Sequence, residues 1–232
     1  MPIAYYITHP QVRIDANVPV PEWGLSDIGR ARTSAMLDQP WVRSIRRIVS
    51  SGERKSVETA EILGRHLRLE VEVRERMHEN DRSATGFLPP EAFEAVADQF
   101  FANPYSSIRG WERAIDAQRR ILSEVDTVLG TEDAADVAFV GHGGVGTLLL
   151  LALSGREISR EADQPAGGGN YFCVRYPRAS YCPRMAADRQ AGAAPRRLIW
   201  LTDQQRRAEK SEREHSMRHE VEGAYPHRVG AL

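Results

Sequence analysis

Short apolar runs alternate with amphipathic stretches along most of this chain. Runs with the length of buried or half-buried strands cover residues 3–7, 45–50, 69–73, 137–140 and 171–174. Helical periodicity lies between them, over residues 28–37, 56–67, 91–101, 111–129 and 145–153. This alternation of strands and helices predicts a three-layer α/β/α sandwich with a mostly parallel central sheet.

The apolar pattern weakens toward the end of the chain. Residues 203–222 consist mainly of Arg, Glu, Gln, Lys and His, so a helix there would have no apolar face to bury. We therefore predict one domain over residues 1–179 and a charged, loosely packed or disordered tail over residues 180–232. Within the domain, the proline-containing stretch 77–110 interrupts the alternation and is expected to form a lid or wall beside the sheet.

Composition and charge narrow the classes of function. A 232-residue chain with 41% hydrophobic residues can build a sizeable core, and a formal charge of −1 argues against binding to nucleic acid or an anionic membrane. The start of the chain lacks the basic and apolar regions of a signal peptide, and no apolar run is long enough to span a membrane. Two cysteines do not make a disulfide framework, so we expect a cytoplasmic protein.

Two histidines follow apolar runs at opposite ends of the predicted domain. His9 comes directly after the first strand, and His142 follows the fourth within Gly-His-Gly-Gly. Ligand sites of open α/β sheets lie at the carboxyl ends of the strands, so neighbouring strands would bring these imidazoles together. A neutral imidazole is a nucleophile and a charged one binds anions, so the pair indicates phosphoryl chemistry without a metal.

Three further segments accompany the histidines in a fixed order. Residues 25–29 have the form Leu-Ser-x-x-Gly, residues 50–61 run from Ser-Ser through a basic pair to Thr-Ala-Glu, and residues 77–79 end in a carboxylate. Together with the two histidine motifs, they make residues 3–174 resemble the histidine phosphatase superfamily, also called the phosphoglycerate-mutase-like family. The resemblance implies that His9 becomes phosphorylated, that His142 stabilises phosphoryl oxygens, and that Glu79 transfers a proton.

The predicted phosphate site departs from the family pattern. Thr8 stands where the family has its first arginine, and Lys55 stands at the second, although a register shift of one residue would place Arg54 there. We therefore predict a phosphate site formed by Thr8, by Lys55 or Arg54, and by the backbone of Gly143 at the start of a helix. Lysine keeps the positive charge but loses the bidentate fork of arginine, so the site is expected to be weaker than the family's.

These residues predict a metal-independent phosphatase that needs no cofactor and acts on a small phosphorylated substrate. Two alternatives remain open: a mutase-type phosphotransferase, and a catalytically weakened protein that binds or senses a phosphorylated ligand. The sequence does not decide whether the protein forms a homodimer. The glycines at 141, 143 and 146 also fit a dinucleotide fingerprint, but the charged stretch 156–165 stands where that fold needs a second strand.

Overall fold

The computed structural model describes residues 2–130 and 135–176. In this part of the chain the sheet has five strands, in the order β3-β2-β4-β1-β5. Their bounds are β1 (Ile3–Thr8), β2 (Ile45–Ser51), β3 (Val71–Arg74), β4 (Asp136–Gly141) and β5 (Tyr171–Arg175). All neighbouring pairs are parallel except β1 with β5. The predicted fold class is confirmed, and β3 lies at the edge of the sheet as its interleaved charges indicated.

Five α-helices connect or flank these strands in the described residues. Their bounds are α1 (Asp27–Met36), α2 (Arg54–Leu67), α3 (Pro90–Ala102), α4 (Ala114–Leu129) and α5 (Gly143–Leu153). The Ser26 side chain caps α1 by accepting a bond from the Gly29 N–H at 3.0 Å. The helix predicted from residue 111 begins only at Ala114, because Trp111 packs into the core from the preceding loop.

The two faces of β1 belong to different layers. Tyr6 lies in the core cluster that contains residues of α3, α4 and α5, and its ring stacks on Phe172. Tyr5 points to the opposite face and stacks on Trp41, since successive strand residues alternate in direction. Both faces of the strand are therefore covered, which explains its uninterrupted apolar sequence.

The predicted wall lies within the described residues, whereas the predicted tail does not. The predicted boundary near residue 180 and the charged tail lie outside the described residues. The stretch 77–110 contains α3 and a loop that borders a cavity, as a wall would. Across the described residues, none of the helices combines the length and the apolar character needed to cross a membrane.

Candidate active site

The ends of β1 and β4 bring the two histidines together. These strands are parallel neighbours, with Thr8 opposite Gly141, so the residue after each strand emerges at the same edge of the sheet. The ring centres of His9 and His142 lie 5.3 Å apart, with the rings inclined by 68°. The juxtaposition expected from the sequence is therefore present.

The His9 ring is held in one orientation by the backbone of the residue that follows it. Nδ1 lies 2.8 Å from the carbonyl oxygen of Pro10, which only accepts hydrogen bonds, so Nδ1 carries the proton. Nε2 then holds the free lone pair of the neutral ring. The chain around His9 is supported by Gly168, where φ is +65° and an added Cβ would lie 2.5 Å from the His9 carbonyl oxygen. Only glycine fits such a position.

His142 is fully buried and fixed through both backbone and side chain. The Tyr6 hydroxyl accepts a bond from the His142 N–H at 3.2 Å and donates to its carbonyl oxygen at 3.3 Å. Nε2 lies 2.8 Å from Oγ of Ser51 and 3.5 Å from Oε1 of Glu53. Nδ1 has no hydrogen-bond partner among the described residues. Gly141 has no room for a side chain, since its Cβ would lie 2.3 Å from the Tyr6 hydroxyl.

Burial keeps both imidazoles uncharged at neutral pH. For His9, burial and the nearby His142 and Lys55 lower the pKa to about 3. For His142, burial outweighs the opposing influence of the carboxylates of Glu53 and Glu79 and lowers the pKa to about 4. A neutral His9 is available as a nucleophile over a wide pH range, whereas a charged His142 requires more negative charge nearby than Glu53 and Glu79 supply in the free protein.

The Glu79 carboxylate occupies the N-terminus of α5. Oε2 accepts a bond from the Gly144 N–H at 3.0 Å, and Oε1 accepts one from the Val145 N–H at 2.9 Å. Burial alone would raise the pKa of Glu79, but Arg82, His142 and the Gly144 N–H hold it below the ordinary value. The carboxylate is therefore ionised in the free protein. It accepts bonds from the two N–H groups that follow Gly143, whose backbone was predicted to bind phosphate.

Arg120 holds the loop that carries Glu79. Its Nη1 donates to the carbonyl oxygens of Arg76 at 2.7 Å and His78 at 2.9 Å. The same guanidinium pairs with Glu112, which binds both Nε at 3.0 Å and Nη2 at 2.7 Å. All of these partners are fixed, so Arg120 acts as a structural cation behind the site.

A lysine–glutamate pair lies beside His142. The Lys55 side chain is almost fully buried, and its Nζ donates to the Glu53 carboxylate and to the Val20 carbonyl oxygen at 2.9 Å. Oε1 of Glu53 also accepts a bond from the Glu79 N–H at 2.8 Å. Burial alone would raise the pKa of Glu53, but His142 and Lys55 lower it to about 2. We call His9, His142, Lys55, Glu53 and Glu79 the histidine cluster.

Glu53 was not among the residues predicted from the sequence, because the pattern at this strand end predicted only positively charged phosphate ligands. The available signal was position: Glu53 lies in the same turn as Lys55, directly after the strand whose last residue is Ser51. A carboxylate so close to the predicted phosphate ligand needed a partner of its own. That partner turns out to be Lys55 itself.

Two of the predicted phosphate ligands lie apart from the charged groups of the cluster. Thr8 is fully buried, and its hydroxyl donates to Oε1 of Gln164 at 2.7 Å while accepting from the Asn170 N–H at 3.0 Å. Arg54 is exposed and pairs with Glu58 through Nε at 2.9 Å. The structure therefore brings Lys55, rather than Arg54, into the cluster.

Gly143, the remaining predicted phosphate ligand, is the first residue of α5 and directly follows His142. An added Cβ would lie 2.1 Å from Nε2 of Gln164. The close approach of this amide explains why the position carries no side chain. Gly143 thus lies between His142 and the Gln164 amide, which belongs to the hydrogen-bond network around Thr8.

Arg82 supplies a further positive charge. Its guanidinium carbon lies 5.1 Å from the centre of the Phe93 ring and 5.7 Å from that of Trp111, within the range of a cation–π contact. Its charge lowers the pKa of both Glu79 and His142. Arg82 is therefore electrostatically part of the site, although no motif pointed to it.

A cavity of about 830 Å³ adjoins the cluster. One wall is the loop 16–22 after β1, and the other is formed by residues of the stretch 78–87. Glu53 and Glu79 are the members of the histidine cluster that line the cavity, so the cavity meets the cluster at these two carboxylates. In the described residues, no group of three or more His, Cys, Asp or Glu side chains is arranged to hold a metal ion.

Known families and solved structures include relatives of this chain. A family model described as "Histidine phosphatase superfamily (branch 1)" matches residues 13–175. No curated protein matches the chain at a significant level.

Several solved structures share the fold. A mycobacterial glucosyl-3-phosphoglycerate phosphatase is 19% identical, with a TM-score of 0.64 over 88% of this chain and 97% of that one. Bacillus stearothermophilus YhfR is 20% identical, with a TM-score of 0.63 over 76% and 92%. An Entamoeba histolytica phosphoserine phosphatase, solved with 3-phosphoglyceric acid, is 16% identical, with a TM-score of 0.59 over 75% and 90%.

Proposed function

Since this chain belongs to the histidine phosphatase superfamily, we propose that it hydrolyses small phosphomonoesters through a phosphohistidine on His9. The observation that carries the proposal is the state of His9 itself. Its Nδ1 is engaged by the Pro10 carbonyl and its ring is neutral, so the Nε2 lone pair is free for attack. His142 lies beside it, at the end of the neighbouring strand.

In the first step, Nε2 of His9 attacks phosphorus and the bond between phosphorus and the ester oxygen breaks. The leaving oxygen needs a proton, which we assign to Glu79. Glu79 is ionised in the free protein, so this proton enters with the substrate, whose phosphate is in part a monoanion at neutral pH. The products of this step are an alcohol and phosphohistidine.

In the second step, water attacks the phosphohistidine. The Glu79 carboxylate takes a proton from the water, the bond between phosphorus and Nε2 breaks, and His9 returns to its neutral form. One carboxyl group thus serves as acid and then as base. The position of Glu79 on the N-terminus of α5 suits the second role, since those N–H groups favour the ionised form.

Positive charge for the phosphoryl oxygens comes from Lys55 and Arg82. His142 adds a further donor once the bound anion favours its protonated form. These fixed groups take the place that a metal ion has in other phosphoryl-transfer sites. The cavity has the size of a small-molecule pocket, which supports a small phosphorylated substrate. The phosphatases with the same fold carry names of small phosphorylated metabolites.

The test is to trap the intermediate. The protein is mixed briefly with a 32P-labelled reactive phosphoryl donor, quenched at alkaline pH, and mapped by mass spectrometry. We expect an acid-labile phosphate on His9, and neither label nor turnover in His9→Ala. In Glu79→Gln we expect the label to persist longer, since water attack loses its base.

The other outcomes are equally specific. Label on a residue other than His9, or undiminished turnover in His9→Ala, would contradict the proposal. Label that passes to a second hydroxyl compound rather than to water would identify a mutase-type phosphotransferase. Phosphate binding without any label would identify a phospho-ligand binding protein.

A further inference from the structure

We propose that the Glu53 carboxylate occupies the position of the substrate's phosphoryl group in the free protein, so that a bound phosphate must displace it. This inference rests on the proposed function, because it assigns the resting occupant of the same phosphate site. Its basis is the set of groups that surround Glu53 and the place of that carboxylate between the cavity and His142.

The partners of Glu53 are those that a phosphoryl group requires. Nζ of Lys55 donates to Oε2, and the Glu79 N–H donates to Oε1 at 2.8 Å. Nε2 of His142 lies 3.5 Å from the same Oε1. An ammonium, a backbone N–H and an imidazole together form an anion-binding set, and they converge here on one internal carboxylate.

Lys55 is the cation for which Glu53 and a bound phosphate would compete. Its Nζ is buried, and its other bond goes to the neutral carbonyl oxygen of Val20. While Glu53 is in place, the charge of Lys55 is neutralised before any substrate arrives. A second anion beside the same carboxylate would meet repulsion, so phosphate and Glu53 exclude each other at Lys55.

Glu53 is held by Lys55 and the Glu79 N–H, and a bound phosphate would take over both of these donors. Glu53 is the residue that precedes α2, yet its side chain makes no capping bond to the N–H groups of that helix. It already lines the cavity, so its carboxylate can move toward solvent without crossing a packed layer. Glu79 differs in this respect, because two N–H groups of α5 hold its carboxylate.

An internal competitor lowers the apparent affinity of its external rival. If the Glu53-bound arrangement accounts for about 90% or more of the free protein, phosphate binds about tenfold or more weakly than the site would otherwise allow. The proposal therefore predicts a specific gain on removing one negative charge. A group that merely positioned Lys55 and His142 would give a loss instead.

The experiment compares two charge-removing variants. Glu53→Gln removes the proposed competitor and keeps the size of its side chain. Glu75→Gln removes a carboxylate from the same cavity lining, but Glu75 makes no ion pair with Lys55 or His142 in the described residues. Vanadate, an analogue of the phosphoryl group, is titrated calorimetrically into the wild-type protein and each variant.

We expect vanadate to bind Glu53→Gln at least about tenfold more tightly than wild type, and Glu75→Gln less than about threefold more tightly. Equal gains in both variants would reduce the effect to general electrostatics and overturn the proposal. Unchanged or weaker binding in Glu53→Gln would overturn it as well, since Glu53 would then be a positioning residue.

A second measurement covers the case in which Glu53→Gln does not fold. In a crystal structure of the wild-type protein with vanadate, the ion should contact Lys55 and His142, and Glu53 should have left both. A Glu53 carboxylate still bound to Lys55 beside the ion would overturn the proposal. Vanadate binding without turnover would contradict the hydrolase and leave the Glu53 inference standing, whereas absence of vanadate binding would remove both.

Discussion

The two sides of His9 differ in chemistry and in their access to the cavity. On the Thr8 side, a neutral hydrogen-bond network joins that hydroxyl to Gln164 and Asn170, and none of these residues lines the cavity. On the Lys55 side, charged groups meet the cavity through Glu53. Under the proposed function, phosphate would therefore approach His9 from the Lys55 side, while the Thr8 side fixes the end of β1.

The largest predicted effect on activity comes from removing the charge of Lys55, on the side of His9 that meets the cavity. In Lys55→Met we expect kcat/KM for an aryl phosphate to fall by about 10²–10³, since a preorganised donor to the transition state is lost. Arg54→Met is the matched variant on the neighbouring residue, which is exposed and paired with Glu58. We expect its kcat/KM to stay within about threefold of wild type, as for a surface ion pair.

The measurement is a steady-state comparison of the two variants with wild type at equal folded fraction. A large loss in Arg54→Met together with a small one in Lys55→Met would reverse the assignment. It would mean that the phosphate site uses the other basic residue of the pair, in the shifted register that the sequence also allowed.

A smaller effect is expected on the Thr8 side. Thr8→Val keeps the shape of the side chain but leaves the Asn170 N–H without its acceptor. Oε1 of Gln164 loses the Thr8 donor and keeps Nδ2 of Asn170 at 3.1 Å. We expect the free energy of unfolding to fall by about 1–3 kcal/mol, as for buried polar groups that lose a bond. The kcat of the folded variant should stay within about threefold of wild type.

Chemical denaturation and kcat measured on the same preparation test this expectation. A variant of wild-type stability with a large loss of kcat would make the Thr8 hydroxyl a phosphate ligand. The family pattern has an arginine at position 8, where this chain has threonine. Thr8 is fully buried, so an arginine there would bury an unpaired charge.

The smallest effect is a pH dependence of stability. Burial holds the pKa of His142 at about 4, so the folded protein keeps this ring neutral at pH 6, whereas the unfolded chain begins to protonate it near pH 6.5. Stability is therefore lost as the pH falls, by up to about 1 kcal/mol for this histidine between pH 7 and 6. Chemical denaturation of wild type and of His142→Asn at both pH values measures this loss. An equal change in the free energy of unfolding between pH 7 and 6 in the two proteins would contradict the prediction.

The sequence predicted the parts of the site that depend on local pattern. His9 and His142 each follow an apolar strand, and parallel neighbours place such residues at one edge. The contact of the Glu79 carboxylate with the N-terminus of α5 was not predictable, because it depends on a loop that Arg120 holds from another helix. The hydrogen-bond network of Thr8 was not predictable either, because its partner Gln164 lies far from Thr8 in the sequence.

The strand β1 is synthesised long before the two strands that flank it in the sheet. This strand pairs with β4 on one side and β5 on the other, and both are synthesised more than a hundred residues later. During translation its apolar residues have no lasting partner, and such non-local pairing folds slowly and exposes the chain to aggregation. A nascent chain that stops before Tyr171 lacks the whole β5 edge of the sheet, beside the strand that His9 follows.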